Sequence, residues 1–514
     1  MGNEPHDLAS YYQDLRVGIR REEAFYSTSP PFNPGETYPE YILGDATSKQ
    51  VNPAYRAVRN VFQILGLDKD NFGSSDWNPL GEVITPGNKV VIKPNFVLSR
   101  HEEGGNLFSI ITHPSVLRAV VDYTYKALDG RGRIVIADAP QMDCDFQELL
   151  ETTNLQSVQE LYREKLGFEI KILDLRDFWL AKNLACRQAP AGKRIKLPGD
   201  PSGSVTVNVG ARSEFCGVKN WNRFYGADYN RDETIRHHNG QTQEYMISRT
   251  VLNADVLVCV PKLKVHKKVG VTLNAKGLVG TNTNKNYLVH YTLGTPDEGG
   301  DQFPPGVLSR KERALIKTQR FLYDALLSRR KPFSDRVYVA LGSFYRRLLK
   351  PLTGHVSPEN TLLDAGNWHG NDSAWRMVSD LMKIILYADN NGRLQSEPQR
   401  KVFSVIDGIV GGQNNGPLTP DQKKAGVVIA GFNPLAVDIA AARLMGFNWE
   451  KLKWVQNLLH NDHFKFFVHN VNDIRIVTDV CEFQNMFHTS DNILNFKPHP
   501  GWRGFIEIAQ NSNV

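Results

Sequence analysis

The 514-residue sequence predicts an α/β fold: two parallel-sheet lobes with a ligand cleft between them, plus a helical basic insertion. Three observations lead there. Strand-like apolar runs alternate with helical patterns along most of the chain. Polar residues recur just after the carboxyl ends of those runs. One short segment, "PKLKVHKKVGVTLNAKGLVG" (residues 261–280), holds five lysines and a histidine with no acid, yet keeps an apolar residue at every second or third place.

The elements follow in order. Residues 1–80 are rich in Pro, Asn, Tyr and Ser, with one short helical pattern near "AYRAVRNVFQILGL", and read as an N-terminal extension that wraps the body. The first lobe, 81–180, offers the strand "KVVIKPN", a helix "HPSVLRAVVDYTYKALDG" ending at Gly130, the strand "RIVIADA", a helix "DFQELLETTN" and the strand "EIKILDL". Such spacing implies parallel pairing with right-handed crossovers. The second lobe, 181–308, offers the strand "SVTVNV", a helix "EYMISRTVLNA" and the buried strand "ADVLVCV". After a basic helical insertion at 309–360, the chain returns over 361–514 with "SAWRMVSDLMKIILYAD", "VFSVIDGIV", "AGVVIAG" and the helix "PLAVDIAAARLMGF".

The formal charge is +6, but it is unevenly placed: residues 309–350 carry twelve Lys and Arg against three acids. The five cysteines lie far apart without a C-x-x-C pair, which argues against an iron–sulfur or zinc-ribbon module and against a disulfide framework. No run approaches a membrane span, and no specific nucleic-acid motif is present. The start "MGNEPHDLAS" lacks an apolar signal region, and His6 stands where myristoylation needs Ser or Thr. A cytoplasmic location is expected.

Chemistry-bearing residues gather at one predicted edge. Lys93 and Asn95 follow "VVI", Asp138 follows "VIA", Lys262, Lys264 and His266 follow "LVCV", and Asp407 follows "FSVI". Ligands of open α/β sheets bind at that edge. Singly, each residue is ordinarily a cap or a strand end. The lysines of 261–280 cannot all be buried without an anion to compensate them, such as a phosphate, carboxylate or nucleotide. A lysine crowded by cations has a depressed pKa and can act as base or nucleophile, and histidine exchanges protons near neutral pH. His266, Lys276 and Lys264 are therefore the expected catalytic residues. Lys93, Asn95, His113, Asp138, Lys262, His290, Asp407 and Asn415 are the expected substrate or cofactor contacts. At "THP", Thr112 is expected to cap a helix opened by Pro114, leaving His113 to project toward an anion. His290 sits in "NYLVHYTLGTPDEGG", expected to be a Gly-rich lid loop, and His237–His238 reads as a polar loop. Neither H-x-x-x-H nor a thiolate pair supports zinc, and the identity of any metal stays open.

The segments "VVIKPN", "THP", "ADAP", "ADVLVCVPKLKVHKKVGVTLNAKGLVG", "VIDGIVGGQNNGP" and "NPLAVDIAAARLMG" together resemble the family known as domain of unknown function 362, in its order and over roughly residues 88–450. Many members carry a cysteine-rich ferredoxin-like segment, and this chain has none. His266 and Lys276, ten apart with Gly270 between and Gly280 beyond, are also similar to the lactate racemase family. There a histidine and a lysine at this spacing hold a nickel-pincer nucleotide, the lysine covalently. The likeness implies that cofactor, but Asn274 and Ala275 replace the Gly-Arg that normally precedes the lysine.

Two functions follow as expectations. One is proton or hydride transfer, isomerase- or epimerase-like, on a small anionic hydroxy acid or sugar acid. The other is binding or assembly on a polyanion, an anionic polysaccharide or lipid surface, through residues 309–350.

Overall fold

The computed structural model describes residues 8–44, 46–182, 192–227, 230–325, 337, 340–341, 357–489 and 493–508. A ten-stranded, mostly parallel sheet runs through them, and strands of both expected lobes join in it edge to edge. The strands are β1 (Arg16–Arg21), β2 (Lys89–Pro94), β3 (Arg133–Asp138), β4 (Ile170–Asp174), β5 (Val256–Val260), β6 (Lys262–His266), β7 (Gly270–Val271), β8 (Lys401–Gln413), β9 (Asp421–Gly431) and β10 (Arg475–Val477). Their main order is β10-β1-β9-β8-β5-β2-β3-β4, with β6 beside β8 and β7 beside β6. Pairing is parallel from β8 through β5, β2 and β3 to β4, and antiparallel between β8 and β9 and between β9 and β1.

Both faces of this sheet are covered, which is why its central strands read as unbroken apolar runs. Alternate residues serve opposite cores. Val90, Ile92, Val256 and Val258 belong to one, with helices α1 (Pro53–Ile64) and α2 (Pro114–Leu128). Val91, Leu257 and Cys259 belong to the other, with α5 (Ala374–Tyr387) and α6 (Pro434–Met445). Each fully buried Val or Leu contributes roughly 1.5–3 kcal/mol. Residues 16–21, inside the stretch read as an extension, supply β1, antiparallel to β9.

The basic segment is built by a break and a fold-back. Pro261, which has no N–H to give a ladder, separates β5 from β6, and its carbonyl accepts the Asp407 N–H at 2.9 Å. β6 then continues along the second half of β8. The two-residue period puts Lys262, Lys264 and His266 on one face, while Leu263 and Val265 enter the apolar core. At Gly270 the backbone has φ +83°, and an added Cβ would meet Leu452 Cδ2 at 2.5 Å, so only glycine turns here. β7 folds back on β6 and delivers the short helix α3 (Leu273–Gly277), which carries Lys276.

Several local expectations are corrected. His113, not Thr112, caps α2: its Nδ1 accepts the Ser115 N–H at 3.0 Å, and Pro114 follows at the first helical position. Thr112 Oγ1 instead accepts from Asn95 N–H and donates to the Val260 carbonyl, tying β2 to β5. "EYMISRTVLNA" begins as a strand, Glu244–Ser248, paired with Ser204–Asn208 in a separate ribbon, and only Arg249–Leu252 is helical. Pairing buries Tyr245 and Ile247 on one side, a period-2 arrangement that overrides the helical pattern. His290 lies on the strand Val289–Thr292, paired with Phe224–Gly226, and not on a loop. Of the basic insertion, helix α4 (Arg310–Tyr323) opens with a capping box between Ser309 and Glu312. Most of the rest of the insertion lies outside the described residues. Among the described residues no helix is long and apolar enough to cross a membrane.

Candidate functional site

A cavity of about 550 Å³ lies beyond the carboxyl ends of β2, β3 and β6. Asn95, Asp138, Lys264, His266, Lys276 and His290, named from sequence, line it together. Behind them Lys93 Nζ pairs with Asp138 Oδ1 at 2.8 Å, and Asp138 Oδ2 accepts the Phe96 N–H at 2.6 Å. Burial pushes the Asp138 carboxyl up, with Lys93 pulling the other way. Gly280 closes over this pair: a Cβ there would stand 1.7 Å from Asp138 Oδ1. Lys285, Lys267, Lys268, Thr272, Tyr291 and Arg320 complete much of the wall.

Three of the buried lysines that line the cavity are held by neutral oxygens. Lys264 donates to the Ile110 carbonyl at 2.6 Å. Lys268 donates to the Ala365 carbonyl and to Asn367 Oδ1. Lys285 donates to the carbonyls of Ala139, at 2.7 Å, Val279 and Asn282. Lys276 differs: only 8% exposed, its ammonium has no hydrogen-bond or ion-pair partner among the described residues. Burial, then the charge of Lys93, lowers Lys276 to about 8. Burial likewise brings Lys285 to about 7, against the attraction of Asp138. Lys264 falls well below its ordinary range through burial and then the charge of Lys276.

The two histidines are fixed in opposite tautomers. His266 Nδ1 accepts the Lys268 N–H at 3.1 Å, so its ring proton resides on Nε2. His290 Nδ1 lies 3.0 Å from the Leu288 carbonyl, which can only accept, so Nδ1 bears the proton and Nε2 is left as a lone pair. Burial, then Lys276, holds both rings well below the usual histidine range. Near neutral pH one ring offers a proton and the other a lone pair.

Asp438, an acid on the otherwise apolar α6, positions this assembly. Its carboxylate accepts the N–H groups of Asn274 and Ala275 and the Asn274 side-chain amide, each at 2.8 Å, clasping the helix that bears Lys276. Burial pushes its carboxyl up to about 7, while these donors pull it down.

Five named residues do not line the cavity: Lys93, which stands behind it, and Lys262, Asp407, His113 and Asn415. Lys262, a rung from Lys264, bonds Asp407 Oδ2 at 2.9 Å and the Tyr26 hydroxyl at 2.6 Å. Tyr26 donates to Asp407 Oδ1 at 2.7 Å and stacks on His113 with ring centroids 3.9 Å apart. The His113 N–H reaches Asp407 Oδ2, completing a closed network. Asn415 ties its own turn, donating to Thr419 Oγ1 at 2.7 Å, while Pro417 and Leu418 reach the cavity. His237 and His238 are likewise structural: one pairs with Glu244 at 2.7 Å, and the other is buried between Gln243 and the Tyr287 carbonyl. Sequence reasoning passed over Lys285, an isolated cation in "TNTNKNY", and Tyr26, whose segment carries no signal of its own.

The fold and its cavity define an α/β protein with a lysine- and histidine-lined chamber at the carboxyl edge of a mainly parallel sheet. The chain belongs to the family described as Domain of unknown function (DUF362), which matches residues 90–182 and 186–443. No curated protein and no solved structure matches it.

Proposed function

We propose that the cavity is the active site of an isomerase- or epimerase-like enzyme that transfers a proton on a small anionic hydroxy acid or sugar acid. The observation that carries this reading is the pair of opposite tautomers beside a buried, unpartnered lysine. His290 Nε2 is suited to take a proton from carbon, and His266 Nε2–H to return one. Lys276 and Lys264 stabilise the negative charge that builds up on the substrate. The Lys93–Asp138 pair and the carbonyl-held lysines keep the wall rigid.

Lys276 and His266, the residues that the lactate racemase likeness assigns to a nickel-pincer nucleotide, both line the chamber. No cluster of three His, Cys, Asp or Glu side chains suited to a metal occurs among the described residues, so protein ligands alone would not complete a metal's shell there. Bound, the group would supply a hydride acceptor; the proton chemistry above does not pass through it. Comparing the intact mass of the purified protein with its sequence mass, before and after Lys276→Ala, detects such an adduct.

The test of the main reading is solvent exchange. Protein incubated in D2O with a panel of 2-hydroxy acids and sugar acids, each free and phosphorylated, should wash the α-proton out of at least one, followed by proton NMR. His290→Ala, His266→Ala and Lys276→Ala should each abolish the loss while near-UV circular dichroism stays native. No exchange on any member removes the reading.

A second reading rests on α4, where Phe321 is 71% exposed beside exposed Arg310, Lys311 and Lys317. It suits peripheral contact with an anionic lipid or polysaccharide surface. Co-sedimentation with anionic vesicles at low and high salt tests it, since exposed charges are screened beyond about 10 Å at 0.1 M.

A further inference from the structure

The cavity holds far more donor capacity than a carboxylate can absorb. Lys276 brings three N–H groups and uses none on a partner among the described residues. Thr272 Oγ1, on a residue only 3% exposed, is likewise buried without a partner among the described residues. A carboxylate has two oxygens and one charge; a phosphate monoester has three terminal oxygens and nearly two charges near neutral pH. Charge makes the same demand. Lys264, Lys268, Lys276 and Lys285 are buried in one wall, whereas the one buried acid among the described residues lining it, Asp138, already faces Lys93. These charges also converge. His266, His290, Lys264, Lys268 and Lys285 all feel Lys276, so the compensating charge is best concentrated in one compact group. Finally, about 550 Å³ suits a ligand well above the size of a simple hydroxy acid.

We infer that the ligand is phosphorylated, and that Lys276 and Thr272 seat its phosphoryl group, leaving His266 to face the reacting carbon. This rests on reading the cavity as the ligand site, and it narrows the substrate class to phosphorylated hydroxy acids or sugar acids. The phosphoryl group is an anchor and undergoes no bond change. Charge-assisted hydrogen bonds from the Lys276 ammonium hold two of its oxygens. Thr272 Oγ1 donates to the third, and the rest of the ligand extends toward Asn95, whose Oδ1 is likewise buried without a partner.

The experiment is calorimetric titration of the full chain with methyl phosphate, methyl sulfate and malonate at equal ionic strength. Methyl sulfate has the same shape with one charge; malonate has two charges at separate ends. Methyl phosphate is expected to bind about tenfold tighter than either. Its affinity should fall as pH drops through about 6, where the ester takes up a second proton. Lys276→Gln and Thr272→Val should each weaken it about tenfold or more, with native circular dichroism. Equal or tighter binding of malonate or methyl sulfate, or affinity unchanged in folded Lys276→Gln and Thr272→Val, overturns the inference. The two readings fail separately. Solvent exchange on an unphosphorylated acid, without methyl phosphate binding, leaves the enzyme and removes the phosphoryl seat; tight methyl phosphate binding without exchange does the reverse.

Discussion

Lys93 Nζ and Asp138 Oδ1 sit 2.8 Å apart, both side chains 2% exposed, with the backbone of Gly280 against them. A buried pair of this kind contributes little over apolar packing, but removing one partner leaves an uncompensated charge and costs roughly 3–5 kcal/mol. Asp138→Asn should therefore lower unfolding free energy by about that amount in urea titration. Gly280→Ala should destabilise as well, because its Cβ would collide with the Asp138 carboxylate at 1.7 Å.

Asp438→Ala would strand the N–H groups of Asn274 and Ala275 without acceptors, at about 1–3 kcal/mol for each buried donor. Lys276 should lose its fixed position in the same variant. The expected result is a lower urea midpoint together with weaker methyl phosphate binding, and partial recovery of both in Asp438→Asn, which keeps one acceptor oxygen. Full binding in Asp438→Ala would separate α3 from the cavity.

The network of Tyr26, Lys262, Asp407 and His113 should act on stability alone. Tyr26→Phe removes one hydroxyl that bridges Lys262, Asp407 and the Val410 N–H. About 1–3 kcal/mol of destabilisation is expected, because Lys262 and Val410 lose an acceptor in a closed interior. Solvent-exchange activity per folded molecule should be unchanged, in contrast to His266→Ala and His290→Ala.

This contrast marks what the sequence could say about the site. Lys264 and His266 were legible because two-residue alternation beside a buried strand puts them on one face, and that face has no acid. Lys262 obeys the same rule, yet its partner Tyr26 arrives from 236 positions away, and no local pattern records such a contact. His113 could not be separated from Thr112, since both precede a proline and both can cap; only tertiary pairing of Thr112 with Asn95 and Val260 decides it. The α/β class was visible in apolar runs buried on two faces. That the strands form one continuous sheet was not, because pairing partners lie far apart in sequence. "EYMIS" failed for a related reason: helical spacing lost to cross-strand pairing with Ser204–Asn208.

Stability should rise with pH across a window where most proteins are flat or declining. Lys285 and Lys276 fall to about 7 and about 8 in the folded protein, from 10.5 when unfolded. Below pH 7 both states hold these protons, and the folded state carries buried ammonium groups. From about 7 upward the folded state releases protons that the unfolded state keeps, so the unfolded state binds more and stability increases with pH. The gain continues toward 10.5. Melting temperature should climb between pH 7 and 9 without ligand, and climb less with methyl phosphate, which favours the charged lysines.

Lys276→Met carries this argument to its sharpest form. The ammonium of Lys276 is buried, faces other cations and has no partner among the described residues, so in the free protein it is a cost and not a support. Methionine keeps the length and apolar body of the side chain and removes the charge. Melting temperature at pH 7 should therefore increase, by several degrees for each kcal/mol gained in a small domain and fewer in a chain of this size. The pH-dependent rise between 8 and 9 should shrink at the same time, since one of its sources is gone. Binding of methyl phosphate and solvent exchange should both be lost. Gain of stability with loss of activity is the signature of a residue kept for its chemistry. A destabilised Lys276→Met would mean instead that the lysine supports the fold, and the phosphoryl seat would lose its central donor.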